Sequence, residues 1–257
     1  GEKNEFFFVQ QAIAHASISE VYTFDVDQKP YTFSGYSYGL RAHIYKNGSV
    51  ADPLMVANDA TRAQARFSKT AYASMCFKLN RDDPQYNGTP DVQFYVEGTK
   101  VRTVEKAGSA YTVSANKIYS NNSALVLLDY LTDTAYGKGL SYSSIDLESI
   151  YKAAKICDIL VKSNITKKGA LWLSKGGNRD VRLYECNIAL DTGSSFRDNI
   201  QKILDSMGLA TLVWSEGKYR LNLPYAFLYE AGRQYYTDEI VQITVNNENR
   251  LYRCVQN

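Results

Sequence analysis

The segment Ile188-Ala189-Leu190-Asp191-Thr192-Gly193-Ser194 has the residue types to do chemistry. An apolar run delivering Asp-Thr-Gly is how an aspartic peptidase presents its catalytic carboxylate. That chemistry needs two carboxylates about 3 Å apart sharing one proton, one acting as acid and the other as base on the same water. The second Asp-Thr in this part of the chain, Asp133-Thr134-Ala135, lacks the glycine and follows a helical pattern, so only a homodimer built around Asp191 would complete the pair. The residues downstream point elsewhere. Ser195 and Asp198 have capping-box spacing, and Phe196, Ile200, Ile203, Leu204 and Met207 form a helical stripe that ends at Gly208. Asp191 is therefore expected in a short loop leading from a strand into a capped helix, where Asp, Thr, Gly and Ser serve turn geometry.

Other constellations carry less. No GxSxG, HExxH, GxGxxG or EF-hand pattern occurs, so no catalytic residues and no cofactor are assigned. The basic, glycine-containing stretch Lys167-Lys168-Gly169 with Lys175-Gly176-Gly177-Asn178-Arg179 fits no phosphate-loop spacing and reads as a solvated turn. Cys76, Cys157, Cys186 and Cys254 form no CxxC pair, and His15 and His43 are too few for a metal cluster, so no metal is assigned and the thiols are expected reduced. With 29 Lys+Arg against 27 Asp+Glu, the net charge of +2 provides no general field for holding nucleic acid or an anionic membrane. No window approaches the roughly 18 apolar residues of a membrane helix, and the first residues lack signal-peptide features, so a soluble chain without stable membrane insertion is expected. The 21 tyrosines suit strands and wet interfaces. Exposed pairs such as Tyr235 and Tyr236 leave open a carbohydrate- or receptor-binding module that stacks sugars on tyrosine rings.

The elements that must position these residues read as an α+β fold. A β-rich part is expected over 1–115, from runs such as EFFFVQQAIA, SEVYTFDVD, AYASMCFKL and VQFYVEGTKV, with Ala51 to Ser68 as one short helix or an ordered loop. A helix-and-strand part is expected over 116–257. SNNSALVLLDYLT predicts a polar-capped helix, apolar on nearly all sides and so buried, stopping near Tyr136-Gly137. The next helix opens with Ser143 and Asp146 in capping-box spacing and places Leu147, Ile150, Tyr151, Ala154, Cys157 and Val161 on one stripe, making Cys157 a packed hydrophobe. Strands are then expected at ALWLS and DVRLYECNIAL, and a hairpin turn at Trp214-Ser215-Glu216-Gly217-Lys218-Tyr219. The strand-like EIVQITVNNENRLYRCVQN is expected to lead into a further β domain.

The middle of the chain carries a more specific pattern. Asn121-Asn122-Ser123-Ala124, the apolar helix with Asp129-Tyr130-Leu131-Thr132, then Tyr136-Gly137-Lys138-Gly139, and a helix ending Cys157-Asp158 follow in order. Upstream lie Gly98-Thr99-Lys100-Val101 and the strand Tyr72 to Leu79, and downstream Tyr184-Glu185-Cys186-Asn187 and Glu216-Gly217-Lys218-Tyr219. Together they resemble the tail tip attachment proteins of lambda-like siphophages, the J-type or central-fibre family, with S-N-N-P-A, D-x-L-T, Y-G-x-G, C-D and R-G-x-K-V stretches. The match runs over about 68–223 and departs at Ser123, where proline is usual, and at Glu97, where arginine is common. The resemblance implies Asn121, Asn122, Asp129, Leu131, Thr132, Tyr136, Gly137, Gly139, Cys157, Asp158, Gly98, Lys100 and Val101 as structural signature residues. It further implies a virion structural protein of the tail tip or baseplate of a phage or prophage, made in the host cytoplasm and serving host attachment. Its expected partners are two further copies in a homotrimer, distal tail and tail-tip proteins, the tape-measure protein, and phage DNA in transit through a central channel.

Overall fold

The computed structural model describes residues 6–15, 18–31, 40–79, 89–163, 179–225, 227–228, 240–245 and 248–255. The fold is α+β and rich in strands. The chain divides into two compact units, one of residues 1–101 with 116–120 and the other of residues 102–115 with 121–257.

The first unit is built from two antiparallel three-stranded sheets. Strands β1 (Phe6–His15), β2 (Ile18–Val26), β3 (Lys29–Tyr31), β4 (Leu40–Tyr45), β5 (Thr70–Lys78) and β6 (Val92–Thr99) pair in the orders β1-β5-β4 and β3-β2-β6. Alternation along the strands sends every second side chain inward. Phe24, Val26, Tyr31, Leu40, Ala73, Met75 and Phe77 form the buried core, with Phe7, Val9, Ile44 and Phe94 packed against it. The other face of β5 is buried as well, since Tyr72, Ser74 and Cys76 are almost inaccessible. The segment between β4 and β5 covers it. Ala51 to Ser68 resolves into a helix, α1 (Pro53–Asn58), and a 3-10 turn over Ala60–Gln64. The ring of Phe67 lies 4.9 Å from that of Tyr72, which stacks on Tyr45, also at 4.9 Å.

Asp52 fastens this cover. Its side chain is fully buried, and its carboxylate accepts from His43 Nδ1 at 2.8 Å, the Tyr45 hydroxyl at 2.8 Å and the Met55 amide at 2.9 Å, the last being the N-cap bond of α1. A buried carboxylate is tolerated only when donors replace its lost water in this way. Burial, reinforced by the Asp52 carboxylate, raises the Tyr45 phenol above its ordinary range and keeps it a donor.

β7 (Val101–Ala107) and β8 (Ala110–Ile118) form a hairpin whose two-residue turn places Gly108 at φ +60, the left-handed region that glycine enters without steric cost. The Ala107-Gly108-Ser109-Ala110 signal for this turn is present in the sequence.

In the second unit the chain forms α2 (Ser123–Thr132), α3 (Leu147–Cys157), β9 (Leu160–Ser163), β10 (Arg179–Arg182), α4 (Phe196–Asp205), β11 (Thr211–Ser215), β12 (Lys218–Asn222), β13 (Phe227–Leu228), β14 (Ile240–Val245) and β15 (Glu248–Arg253). Helices α3 and α4 both pack on α2, and the antiparallel β11-β12 hairpin packs on α3 through β12. The expected hairpin turn is confirmed, with Glu216 at φ 53 and Gly217 at φ 76. Strands β14 and β15 pair antiparallel over the stretch read as strand-like.

Four expectations need correction. Helix α2 ends at Thr132, short of Tyr136, because Asp133 turns extended and caps it. Helix α3 is capped by Asp146 alone, whose side chain accepts from the Ser149 amide; Ser143 sits in a separate 3-10 turn, and Val161 belongs to β9. The run Asn187 to Leu190 is irregular rather than strand, its regular pairing ending at Arg182. Phe196 is half exposed instead of packed, while Ile203, Leu204 and Met207 are buried as expected. The ALWLS run, Tyr235 and Tyr236, and Lys167 to Asn178 lie outside the described residues.

The turn between β2 and β3 uses Asp27 at φ 49 and Gln28 at φ 65, two left-handed positions without glycine. Such a conformation costs roughly 1–2 kcal/mol for an L-residue with a side chain. Replacing Gln28 with Gly is expected to raise unfolding stability by up to about 1 kcal/mol, after the extra chain entropy of glycine is subtracted. A urea titration showing a higher midpoint at unchanged slope is the expected result.

Candidate functional site

The signature residues of the middle segment converge on the two ends of α2. This helix is almost wholly buried, with Ala124, Leu127 and Leu131 at 0% exposure, so water is not available to its terminal amides and carbonyls. Protein groups must satisfy them. At the N-terminus Asn122, itself 0% exposed, accepts the Ala124 and Leu125 amides on its side-chain oxygen at 3.1 and 3.3 Å, and its backbone carbonyl accepts the Val126 amide at 3.0 Å. Its amide nitrogen donates to the Ala154 carbonyl at 2.8 Å. One side chain therefore caps α2 and ties it to the last turn of α3.

Cys157, the final residue of α3, is also 0% exposed. Burial pushes its thiol up to about 11, partly offset by the nearby Ala124 and Ser123 amides. The thiol is a packed, protonated group and not a nucleophile at neutral pH.

The C-terminus of α2 is closed by the turn that follows it. Asp133 donates its amide to the Asp129 carbonyl at 2.8 Å, Lys138 donates to Tyr130 at 2.9 Å, and Leu140 donates to Leu131 at 2.8 Å. Thr132 Oγ1 donates to the Leu128 carbonyl at 2.9 Å. Asp133 Oδ1 organises the turn by accepting the Ala135 and Tyr136 amides, and the Tyr136 hydroxyl donates to the Asp129 carboxylate. Burial and that carboxylate raise the Tyr136 phenol well above its usual range. The two glycines have different reasons. A Cβ at Gly137 would lie 2.1 Å from the Tyr130 carbonyl oxygen, so glycine is required for close approach, whereas Gly139 sits at φ +71.

Asn121 and Asp158 face each other across Arg182. The guanidinium donates to Asn121 Oδ1 at 2.7 Å and pairs with Asp158 at 2.9 Å, while the Asn121 carbonyl accepts the Cys186 amide at 2.7 Å. Arg182 was not singled out from the sequence, and no linear pattern marks it. The same holds for Asn199, whose buried amide nitrogen joins the Tyr130 hydroxyl at 3.0 Å to the Asp191 carbonyl at 2.8 Å. Ser206 and Ser123, hydrogen-bonded at 2.9 Å, link α4 to the start of α2. The remaining signature residues belong to the first unit. Gly98 is on β6 with open space where a Cβ would be, Lys100 is exposed between strands, and Val101 is buried at the start of β7.

Asp191 behaves as a turn residue. Its carboxylate accepts the Gly193 amide at 2.8 Å at an exposed position, and the Ser195 hydroxyl caps α4 by accepting the Asp198 amide at 3.1 Å while donating to the Asp198 carboxylate at 2.7 Å. Among the described residues no group of three or more His, Cys, Asp or Glu is placed to hold a metal, and no helix is long and apolar enough to cross a membrane.

These features define an α+β protein in which polar residues at the start of α2 tie it to α3 and α4. No known protein-family profile matches the sequence. Over 158 residues the chain is 32% identical to the baseplate hub protein pb3 of Escherichia phage T5, an alignment covering 60% of this chain and 16% of that protein. It thus corresponds to a short stretch of a much longer relative.

Replacing Asn122 with Ala removes the cap and leaves the Ala154 carbonyl buried without that donor, an expected loss of about 2–4 kcal/mol. Gly137→Ala is expected to cost at least about 2 kcal/mol, since a backbone oxygen cannot move aside. Both are read by chemical denaturation. The Cys157 thiol gives the pH dependence. Its folded pKa lies above the ordinary 9.0, so its contribution is complete below pH 9 and declines as pH rises toward about 11. Cys157→Ala is expected to flatten that alkaline loss in denaturation midpoints measured from pH 8 to pH 11.

Proposed function

We propose that this chain is a structural segment of a bacteriophage or prophage tail hub, located in the virion tail and acting through packing and subunit contact. The similarity to a baseplate hub protein over 158 residues carries this reading. The geometry supports it, because the polar side chains at the ends of α2 are spent on satisfying buried backbone groups. The finer reading rests on the resemblance to the J-type central-fibre proteins. In it the chain contributes to a homotrimeric ring at the tail tip, joins the tail tube to the central fibre, and encloses the channel through which DNA leaves. Its neighbours there are distal tail proteins and the tape-measure protein, and its synthesis takes place in the host cytoplasm.

Immunogold labelling of intact particles with antibody raised against this chain is expected to mark the tail end farthest from the head. Label on the head alone overturns the proposal. Threefold averaging of labelled tails tests the trimer separately. The peptidase alternative around Asp191 has a direct check: acid incubation with a peptide library is expected to give no cleavage that Asp191→Asn abolishes.

A further inference from the structure

We propose that the strap over residues 47–69, which covers one face of β5, opens as a single unit, and that this opening sets the rate at which Asn47-Gly48 converts to an isoaspartate. Asn47 is thereby a site of spontaneous modification governed by the fold. The inference lies wholly within the first unit and is independent of the hub reading.

Few groups hold the strap down. Over residues 49–69 only Asp52 and Met55 are buried, whereas seven of the nine residues of β5 are. A segment opens locally at least cost where little apolar surface is lost. Asp52 supplies the hold that apolar packing does not. Its carboxylate takes the Tyr45 hydroxyl and the His43 imidazole from the sheet, and the Met55 amide from the strap. A second set of bonds closes the two ends of the strap on each other. The Gly48 amide donates to the Thr70 carbonyl at 3.0 Å, the Phe67 amide to the Gly48 carbonyl at 2.9 Å, and the Lys69 amide to Asn47 Oδ1 at 3.3 Å. Lys69 sits at φ 63, a left-handed position strained for a residue with a side chain, and opening relieves that strain.

This closure contains a reactive pair. Glycine after asparagine leaves the backbone nitrogen unhindered. The fold requires glycine here, since a Cβ at Gly48 would lie 2.3 Å from the Phe67 carbonyl oxygen. In the reaction the Gly48 nitrogen bonds to the Asn47 side-chain carbonyl carbon. The bond from that carbon to the side-chain nitrogen breaks, and the nitrogen departs as ammonia with the proton from Gly48. Water, the one co-reactant, opens the cyclic imide at either carbonyl to leave aspartate or isoaspartate. Asn47 is exposed, so water reaches it. The closed strap blocks the first step twice, because the Gly48 proton is committed to Thr70 and the Asn47 side chain is drawn toward Lys69. Both restraints go when the strap opens. An isoaspartate lengthens the main chain by a carbon, so Gly48 no longer meets Phe67 and Thr70 in register and the opening becomes irreversible.

The full chain is incubated at neutral pH, folded and in urea, and isoaspartate at Asn47 is quantified by peptide mapping. Conversion is expected to be at least about tenfold slower in the folded chain, since it proceeds only through the open fraction. Tyr45→Phe removes one bond to the Asp52 carboxylate and is expected to speed conversion about tenfold. Asp52→Ser keeps an oxygen to cap α1 but reaches neither Tyr45 nor His43, and is expected to speed it further; should that variant not fold, Tyr45→Phe decides. Hydrogen exchange on the same proteins separates local opening from global unfolding. The Gly48, Met55 and Phe67 amides are expected to share one protection, lower than that of the amides between Ala71 and Phe77, and to lose it together in the variants. Folded conversion as fast as unfolded overturns the proposal, as does a rate that Tyr45→Phe leaves unchanged. Exchange in which Met55 and Phe67 open independently, or open only along with β5, overturns it too.

Discussion

A helix buried along its whole length has nowhere to send its end groups except into the protein, and that constraint organises the second unit. The first amides and last carbonyls of α2 have no intrahelical partners. Left bare in an apolar interior, each would cost about 1–3 kcal/mol. Asn122 settles the first end and, through the Ala154 carbonyl, fixes where α3 must finish. The turn over 133–140 folds back to settle the other end. Cys157, Asp158 and Asn121 then fall into place because the same junction brings the end of α3 beside the start of α2, with Arg182 closing the outside.

The same logic separates residues that look chemical from residues that act chemically. Asp191 belongs to a motif associated with proton transfer, yet its carboxylate is spent on the Gly193 amide and its backbone carbonyl on Asn199. His43, Tyr45 and Asp52 form a hydrogen-bonded cluster that bears a formal likeness to a catalytic relay. There the carboxylate is the centre of the arrangement, and its third bond caps the helix that covers the sheet. In both places a polar group serves the backbone that surrounds it.

Similarity to a phage baseplate hub protein gives these observations a setting. Interlocked helix ends hold an interior in place more specifically than apolar packing alone, because hydrogen bonds fix direction as well as distance.

Much of the local structure was legible in the sequence. Period-2 runs located the strands of the first unit, the Ser195 and Asp198 spacing located the start of α4, and Glu216-Gly217 located a hairpin. These succeed because capping and turn formation are decided within four residues of chain. The all-round apolar character of α2 likewise announced its burial. Where α2 ends, why Gly137 is glycine, and what Arg182 and Asn199 do were decided only by tertiary structure. Each depends on groups that are distant in sequence or on a turn whose path is set by the helix it returns to. The Tyr130 carbonyl excludes a side chain at Gly137 only once the turn has folded back, and Arg182 finds Asn121 only once β10 has been carried across the unit. Local pattern fixes which backbone groups will need partners; the folded chain alone determines which residues supply them.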